Sequence, residues 1–406
     1  MKFSTRTAWQ PADSRYIGAA VRAQAAGKQR TDRGSLIDLT VANPAECGLA
    51  MDGEHVLTPL GTFANLTYDP QPFGLLRARE AVAAYYTARS AAVSPHAIVL
   101  TASTSEAYSY LLRLLCNVGD EVLIASPGYP LLDVLADLCD VKLIHYPLFY
   151  DHGWHVDRAA LEAAVTSRTR AIVVIHPNNP TGHYTGDVER DFLQGICARH
   201  DLALIVDEVF LDYGVAPRAI EEGVAAQSFA CDEHPVLTFV LSGLSKIAAL
   251  PQMKVAWMAV EGPGSREALE RLEIIADSYL SLGTPAQNAL PEWLRASAGV
   301  QRAICSRVNS NLAALDELMA AQTLVTRLKV EAGWYAILRL PDIAHDKEVA
   351  VRLLELEQVL AQPGHLFGMH GDCRLIVSLL TEETAFKEGV RRILEFATRL
   401  PGSSQS

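Results

Sequence analysis

Residues 171–207 read AIVVIHPNNPTGHYTGDVERDFLQGICARHDLALIVD. Two continuous apolar runs, Ala171 to Ile175 and Leu202 to Val206, flank a stretch of helical spacing from Gly186 to His200. A run that is apolar at every position, not at alternate ones, suits a strand buried on both faces. Strand, crossover helix, strand is the unit of a parallel sheet. The first run ends in His176-Pro177-Asn178-Asn179-Pro180-Thr181-Gly182, and the second in Asp207-Glu208.

The same alternation continues outward. Strands are predicted at Ala97–Thr101, Glu121–Ala125, Val141–Tyr146, Val236–Leu241 and Val255–Val260. Helices are predicted at Leu75–Arg89, Ser105–Cys116, Leu131–Leu138 and Asp157–Val165. The fold class is α/β, a doubly wound, mostly parallel sheet. After about Leu282 the order becomes α+β. Helices are expected at Pro285–Ser297, Val300–Ala321 and Lys347–Leu356, and strands at Leu324–Val330, Trp334–Leu340 and Arg374–Ser378, before a last helix. An amphipathic helix at Ser14–Lys28 and a strand at Leu36–Val41 are expected to join this smaller part. The expected division is a large domain over residues 45–283 and a smaller α+β domain made of 1–44 and 284–406.

The chain has 406 residues, 35 Lys+Arg against 47 Asp+Glu, and a formal charge of −12. Half its residues are apolar, so a large core is available. Without basic blocks, a nucleic-acid groove or an anionic membrane surface is a poor expectation. No apolar run approaches the roughly 20 residues of a membrane span, and the N-terminus shows no apolar core of signal-peptide length. The seven cysteines are odd in number and widely spaced, Cys116 and Cys139 being the nearest pair, which suits free thiols in a reducing cytoplasm.

In a doubly wound sheet, ligands sit at the carboxyl ends of the strands. After Thr101 come Ser103, Thr104 and Ser105, small hydroxyl residues opening a helix and able to receive an anion. After Ile175 comes the Asn-Pro turn with Asn179, and after Val206 the buried-strand carboxylate Asp207. After Leu241 comes Ser242-Gly243-Leu244-Ser245-Lys246, a lysine among small residues, suited to imine chemistry if its pKa is lowered. Each alone reads as a cap, a turn or a surface charge. All four at the ends of one sheet suit a phosphorylated, nitrogen-containing aldehyde, pyridoxal 5'-phosphate.

On NNPTG at Asn178–Gly182, DEVF at Asp207–Phe210 and SGLSK at Ser242–Lys246, the chain resembles the class I/II aminotransferases of the fold-type I pyridoxal-phosphate enzymes, from Leu39 to about Leu400. The resemblance implies that Lys246 is the Schiff-base lysine and that Asp207 pairs with the ring nitrogen. It places Asn179 on the ring oxygen and Tyr129 of SPGYP on the ring face. Ser103, Thr104, Ser105, Ser245 and Lys254 would form the phosphate cup, joined by Tyr68 of a neighbouring subunit. Arg374 of CRLIVS would bind the substrate carboxylate, with Asn43 and Ala42 near the substrate. The sequence departs from the family pattern at four positions: Ala42 and Ala256 where glycine is usual, Phe210 where tyrosine is usual, and Lys254 where arginine is usual.

The function so implied is a cytoplasmic, homodimeric aminotransferase acting on an α-amino acid and a 2-oxo acid, without a metal. A lyase, decarboxylase or cyclase on the same fold stays open, as does, from another class, a cofactor-binding regulator. His152 and His155 have metal-like spacing but read as surface histidines. His183 either lines the site or is a loop residue without a role. Tyr213 is either core or a substitute for the missing phenol, and Trp334 reads as packing.

Overall fold

The computed structural model describes residues 3–8, 14–26, 36–215, 227–231, 234–342 and 344–400. Eight strands form the central sheet: β1 (Ile98–Thr101), β2 (Glu121–Ser126), β3 (Lys142–Tyr150), β4 (Trp154–Val156), β5 (Thr169–Ile175), β6 (Ala203–Asp207), β7 (Thr238–Gly243) and β8 (Ala256–Glu261). Their spatial order is β1-β8-β7-β6-β5-β2-β3-β4. The run β7-β6-β5-β2-β3 is parallel throughout, and only β8 and β4 run against it. The carboxyl ends of β1, β2, β5, β6 and β7 therefore open on one edge.

The apolar runs bury both faces of this sheet. Val99, Ile124, Val173, Ile205, Phe239 and Met258 belong to one core, covered by Ala107 and Leu111 of the helix Thr104–Leu115 and by Leu272 of the helix Ser265–Tyr279. The alternate residues Leu100, Leu123, Ile172, Leu204, Val240 and Trp257 belong to the other, with Val82, Ile196 and Trp293 from the helices Leu76–Thr87, Asp187–His200 and Thr284–Ala320.

Three expectations are corrected here. The two helices expected at 285–297 and 300–321 are one, Thr284–Ala320, because buried residues recur at three- and four-residue spacing straight through Gly299 (Trp293, Ser297, Val300, Ile304). One glycine costs about 1 kcal/mol in a helix, which this continuous packing overrides. Helix Ser265–Tyr279 was not expected, although Ala268, Leu272 and Ala276 mark its buried stripe. The strand expected at 36–41 shrinks to Ile37–Asp38, paired in parallel with Val359–Leu360. The N-terminal helix spans Ser14–Ala26 and packs on helix Asp346–Glu357, Tyr16 donating to the Ala361 carbonyl; positions 27–28 of the expected helix lie outside the described residues. A second, four-stranded antiparallel sheet has the order Thr326–Arg327, Tyr335–Arg339, Arg374–Ser378, Gln362–Pro363.

Two turns join the sheets. Gly182, closing the Asn-Pro turn after β5, has φ +68°, and its carbonyl accepts from Ala332 N–H. A Cβ there would lie 2.4 Å from the Ala332 carbonyl oxygen. On the other side, Gly128 N–H donates to Phe367 O, and Ser126 Oγ donates to Gly368 O. All seven cysteines are free, two of them buried and five half-buried.

Replacing Gly182 with alanine combines left-handed strain of about 1–2 kcal/mol with overpacking of about 1–3 kcal/mol. Equilibrium denaturation of Gly182→Ala should show a loss of at least about 2 kcal/mol. A stability equal to the wild type would mean that the two sheets do not approach each other at this turn.

Candidate active site

The parallel pairing of β6 and β7 sets Asp207 beside Leu241. Lys246 lies five residues further on, in the short helix Leu244–Ile247 that β7 runs into. Asp207 is 7% exposed. Its carboxylate accepts from Tyr108 Oη at 3.0 Å and from Val209 N–H at 3.1 Å. Burial pushes its pKa up to about 6, against those two donors and the attraction of Lys246. Lys246 carries the complementary shift. Burial lowers its pKa to about 8, partly offset by Asp207.

Aromatic groups line the rest. Lys246 Nζ lies 5.6 Å from the Phe210 ring centre and 5.1 Å from that of Trp334. Phe210 and Trp334 meet edge to face at 4.8 Å. Among the described residues no hydrogen bond or ion pair engages Nζ, so the amine is held by shape and by the Asp207 charge. Tyr108 is a site neighbour that the sequence reading does not name, and Trp334 is the residue read as packing. Tyr108 sits on the buried stripe of its helix, and Trp334 carries no motif of its own, so the chain pattern read both as core.

The helix opened by the hydroxyl residues spans Thr104–Leu115, one residue earlier at each end than expected. Ser103 caps Thr104–Leu115, its Oγ accepting from Glu106 N–H, while Glu106 accepts from Ala102 N–H. The Ser103 oxygen thus accepts within the cap while its O–H can still donate, and Thr104 and Ser105 stand half-buried in the first turn. Ser245 is half-buried beside Lys246. Asn178 is held by Pro127 O, and Asn179 beside it has a buried Oδ1 with no hydrogen-bond partner. Tyr129 is 49% exposed at the turn that reaches Phe367.

Arg374 begins its strand with Nη2 on Asp372 at 3.2 Å and a buried Nε that lacks a partner. Gly364 makes room for it, since a Cβ there would lie 3.0 Å from Arg374 Cβ. Asp346 orders that turn, accepting from His365 N–H and pairing with His365 Nδ1. Asn43 caps the turn Pro44–Cys47 and donates to Glu46, and Ala42 packs on the core. Lys254 is exposed at φ +53°, and Tyr68 is 79% exposed.

The remaining candidates find other roles. His183 is buried between Glu189 (2.8 Å) and Glu331 (3.6 Å), which raise its pKa to about 9 against burial, so it is a structural ion-pair residue. Tyr213 gives its hydroxyl to Lys246 O. His152 is exposed, and His155 Nε2 faces Asp151 O.

These residues fit pyridoxal phosphate. A buried carboxylate whose only near positive charge among the described residues is Lys246 suits a protonated ring nitrogen. The partnerless Arg374 Nε marks a donor built for something outside the chain.

The family model described as Aminotransferase class I and II matches residues 58–393. A glutamate-pyruvate aminotransferase, AlaA, of Haemophilus influenzae is 25% identical over 375 residues, covering 89% of this chain and 90% of that protein. An alanine aminotransferase of Mycobacterium tuberculosis is 27% identical, covering 84% and 80%. Among solved structures, an aminotransferase from Escherichia coli superposes with TM-score 0.82 at 24% identity over 100% of both chains. An alanine aminotransferase from Pyrococcus furiosus gives 0.82 at 21%, covering 98% of this chain and 100% of its own. The match over most of the length, together with the lysine and carboxylate at adjacent strand ends, establishes that the chain belongs to the class I and II aminotransferase family.

Proposed function

We propose that the chain is a pyridoxal-phosphate-dependent aminotransferase exchanging an amino group between an α-amino acid and a 2-oxo acid through Lys246 and Asp207. What supports this most is that Lys246 follows directly on β7, whose Leu241 pairs with the buried Asp207 at the end of β6, with its amine over Phe210 and Trp334. When bound, the cofactor supplies an aldehyde carbon for an amine and a conjugated ring that takes up charge from the substrate α-carbon.

The side chains divide the work. Lys246 Nζ would hold the cofactor and, once displaced by a substrate amine, would be the base placed to accept the substrate α-proton. Asp207 keeps the ring nitrogen protonated, and Tyr108 and Val209 N–H keep Asp207 ionised. The Asn179 amide would donate to the ring oxygen, and Tyr129 would lie on the ring face. The N-terminus of helix Thr104–Leu115, with Ser103, Thr104, Ser105, Ser245 and Lys254, holds the phosphate. Arg374 pairs with the substrate carboxylate, with Asn43 and Ala42 on the substrate side.

We assign residues 45–283 to the cofactor-binding domain and 1–44 with 284–406 to the second, in keeping with the pairing of Ile37–Asp38 with Val359–Leu360. A homodimer is supported by Leu57, Phe63, Leu66 and Tyr68, which expose 64–89% of their surface within one short stretch. Tyr68 would then serve the phosphate of the second copy. No helix among the described residues is long and apolar enough to cross a membrane, and the free cysteines suit the cytoplasm.

The direct assay supplies an amino-acid panel, beginning with alanine and glutamate, with pyruvate or 2-oxoglutarate as acceptor. Keto-acid production that disappears in Lys246→Ala is expected. Amine or carbon dioxide release without keto-acid transfer would instead indicate a lyase or decarboxylase.

Two further outcomes follow from the charges. Capture of pyridoxal phosphate by cofactor-free protein should rise with pH around 8, far below an ordinary lysine. Asp207→Asn should move that midpoint lower still, because the Asp207 charge holds the ammonium up. A midpoint near 10 in the wild type would contradict the buried site. Arg374→Ala should weaken amino-acid binding by about 2–5 kcal/mol, the scale for removing one partner of a buried charge pair, with cofactor content unchanged. Unaltered KM values would remove Arg374 from the substrate site.

A further inference from the structure

The turn that carries Lys246 is four residues long, Leu244–Ile247, and cannot satisfy its own last carbonyls. Within the turn Lys246 O receives a long bond of 3.4 Å from Ala249 N–H and shares Ala248 N–H with Leu244 O. The chain then leaves through Ala249 at φ +53°, a conformation unfavourable for a residue with a Cβ. Such a segment keeps its shape only if the surroundings impose it.

The surroundings do so with two side chains outside the recognised motifs. Tyr213 Oη donates to Lys246 O at 2.5 Å. Gln301 Nε2, from the long helix, donates to Ile247 O at 3.0 Å. Both lie beside Asp212. Gln301 Nε2 also reaches Asp212 Oδ2 at 3.3 Å, and Tyr213 is the next residue in the chain. The Asp212 carboxylate is neutralised by Arg89, with Nε at 2.8 Å, and accepts from Tyr85 Oη at 2.9 Å. The Arg89 guanidinium lies 3.7 Å from the Tyr85 ring centre. The Tyr213 ring leans on Trp334 at 5.1 Å, and Trp334 faces the Lys246 ammonium.

We propose that Tyr213 and Gln301, anchored on the Asp212–Arg89–Tyr85 cluster, are positioning residues that clamp the backbone of the lysine turn and so aim Lys246 Nζ at Asp207 and the aromatic pair. The inference rests on Lys246 being the reactive lysine. It assigns the Tyr213 hydroxyl to the turn and not to a bound ring, so Tyr213 does not replace the phenol that Phe210 lacks. Releasing either carbonyl loosens the turn and lets water reach the amine, with Asp207 the charged group that faces it.

The test uses the full chain as wild type, Tyr213→Phe, Gln301→Met and Lys246→Ala. Tyr213→Phe keeps the ring against Trp334 and removes only the donor. Gln301→Met removes the other donor at similar volume. Two readouts are taken: the pH profile of pyridoxal phosphate capture by cofactor-free protein, followed by absorbance, and the kcat against KM split of the loaded enzyme. In each positioning variant we expect capture at neutral pH to slow about three- to tenfold, the scale of one hydrogen bond. Its midpoint should move upward, towards an ordinary lysine, and kcat should fall with KM unchanged. Capture profiles superimposable on the wild type in both variants would overturn the proposal, as would rate losses that track only a fall in Tm. If Lys246→Ala captures the cofactor as well as the wild type, it is the assignment of the reactive lysine that fails, a result distinct from failure of the clamp. Should one variant not fold, the other decides, since each releases a different carbonyl of the same turn.

Discussion

The structure depends on placing a carboxylate and an amine, both withdrawn from water, at the ends of neighbouring strands. Each is disfavoured as a charge by burial: Asp207 is pushed up and Lys246 pushed down. Neither could be held there by a solvated loop, because a mobile segment would let both reach water. The parallel pairing of β6 and β7 solves this. It fixes Asp207 against Leu241, and the chain then turns at once into Leu244–Ile247. The two buried faces of the sheet are the scaffold that makes this register rigid.

The environment around the pair sharpens the division between them. Tyr108 and Val209 N–H both donate to Asp207, which favours its ionised form. Among the described residues Lys246 has no comparable acceptor, and it sits over Phe210 and Trp334, whose ring faces tolerate the ammonium while excluding water. Phenylalanine at 210 adds to that apolar wall and gives up a hydroxyl. Behind it, the two carbonyls of the lysine turn are met by Tyr213 and Gln301. The second sheet supplies Trp334 and Arg374, and Gly182 is one place where it closely approaches the central sheet.

Much of this was legible in the sequence, because it was written in local signals. Fully apolar runs announced β5, β6 and β7, and a polar residue at the end of each run announced Asn179, Asp207 and Lys246. What stayed hidden was set by tertiary packing. Helix Ser265–Tyr279 is charged on its outer face, and its sparse stripe of Ala268, Leu272 and Ala276 was overlooked. Gly299 looked like a break, yet the helix continues because its neighbours are buried on both sides of it. Tyr108 and Trp334 are core by every sequence criterion and gain their roles only from what lies opposite. His183 carries a charge cluster with Glu189 and Glu331, which are distant enough in sequence that no motif joins them.

The central claim is that one lysine, at the end of β7 and opposite Asp207, carries the chemistry. It is tested most directly by treating the protein loaded with pyridoxal phosphate with borohydride and mapping the modified peptide. The account predicts a single pyridoxyl group, on Lys246. A pyridoxyl group on any other lysine, with Lys246 unmodified, would contradict it.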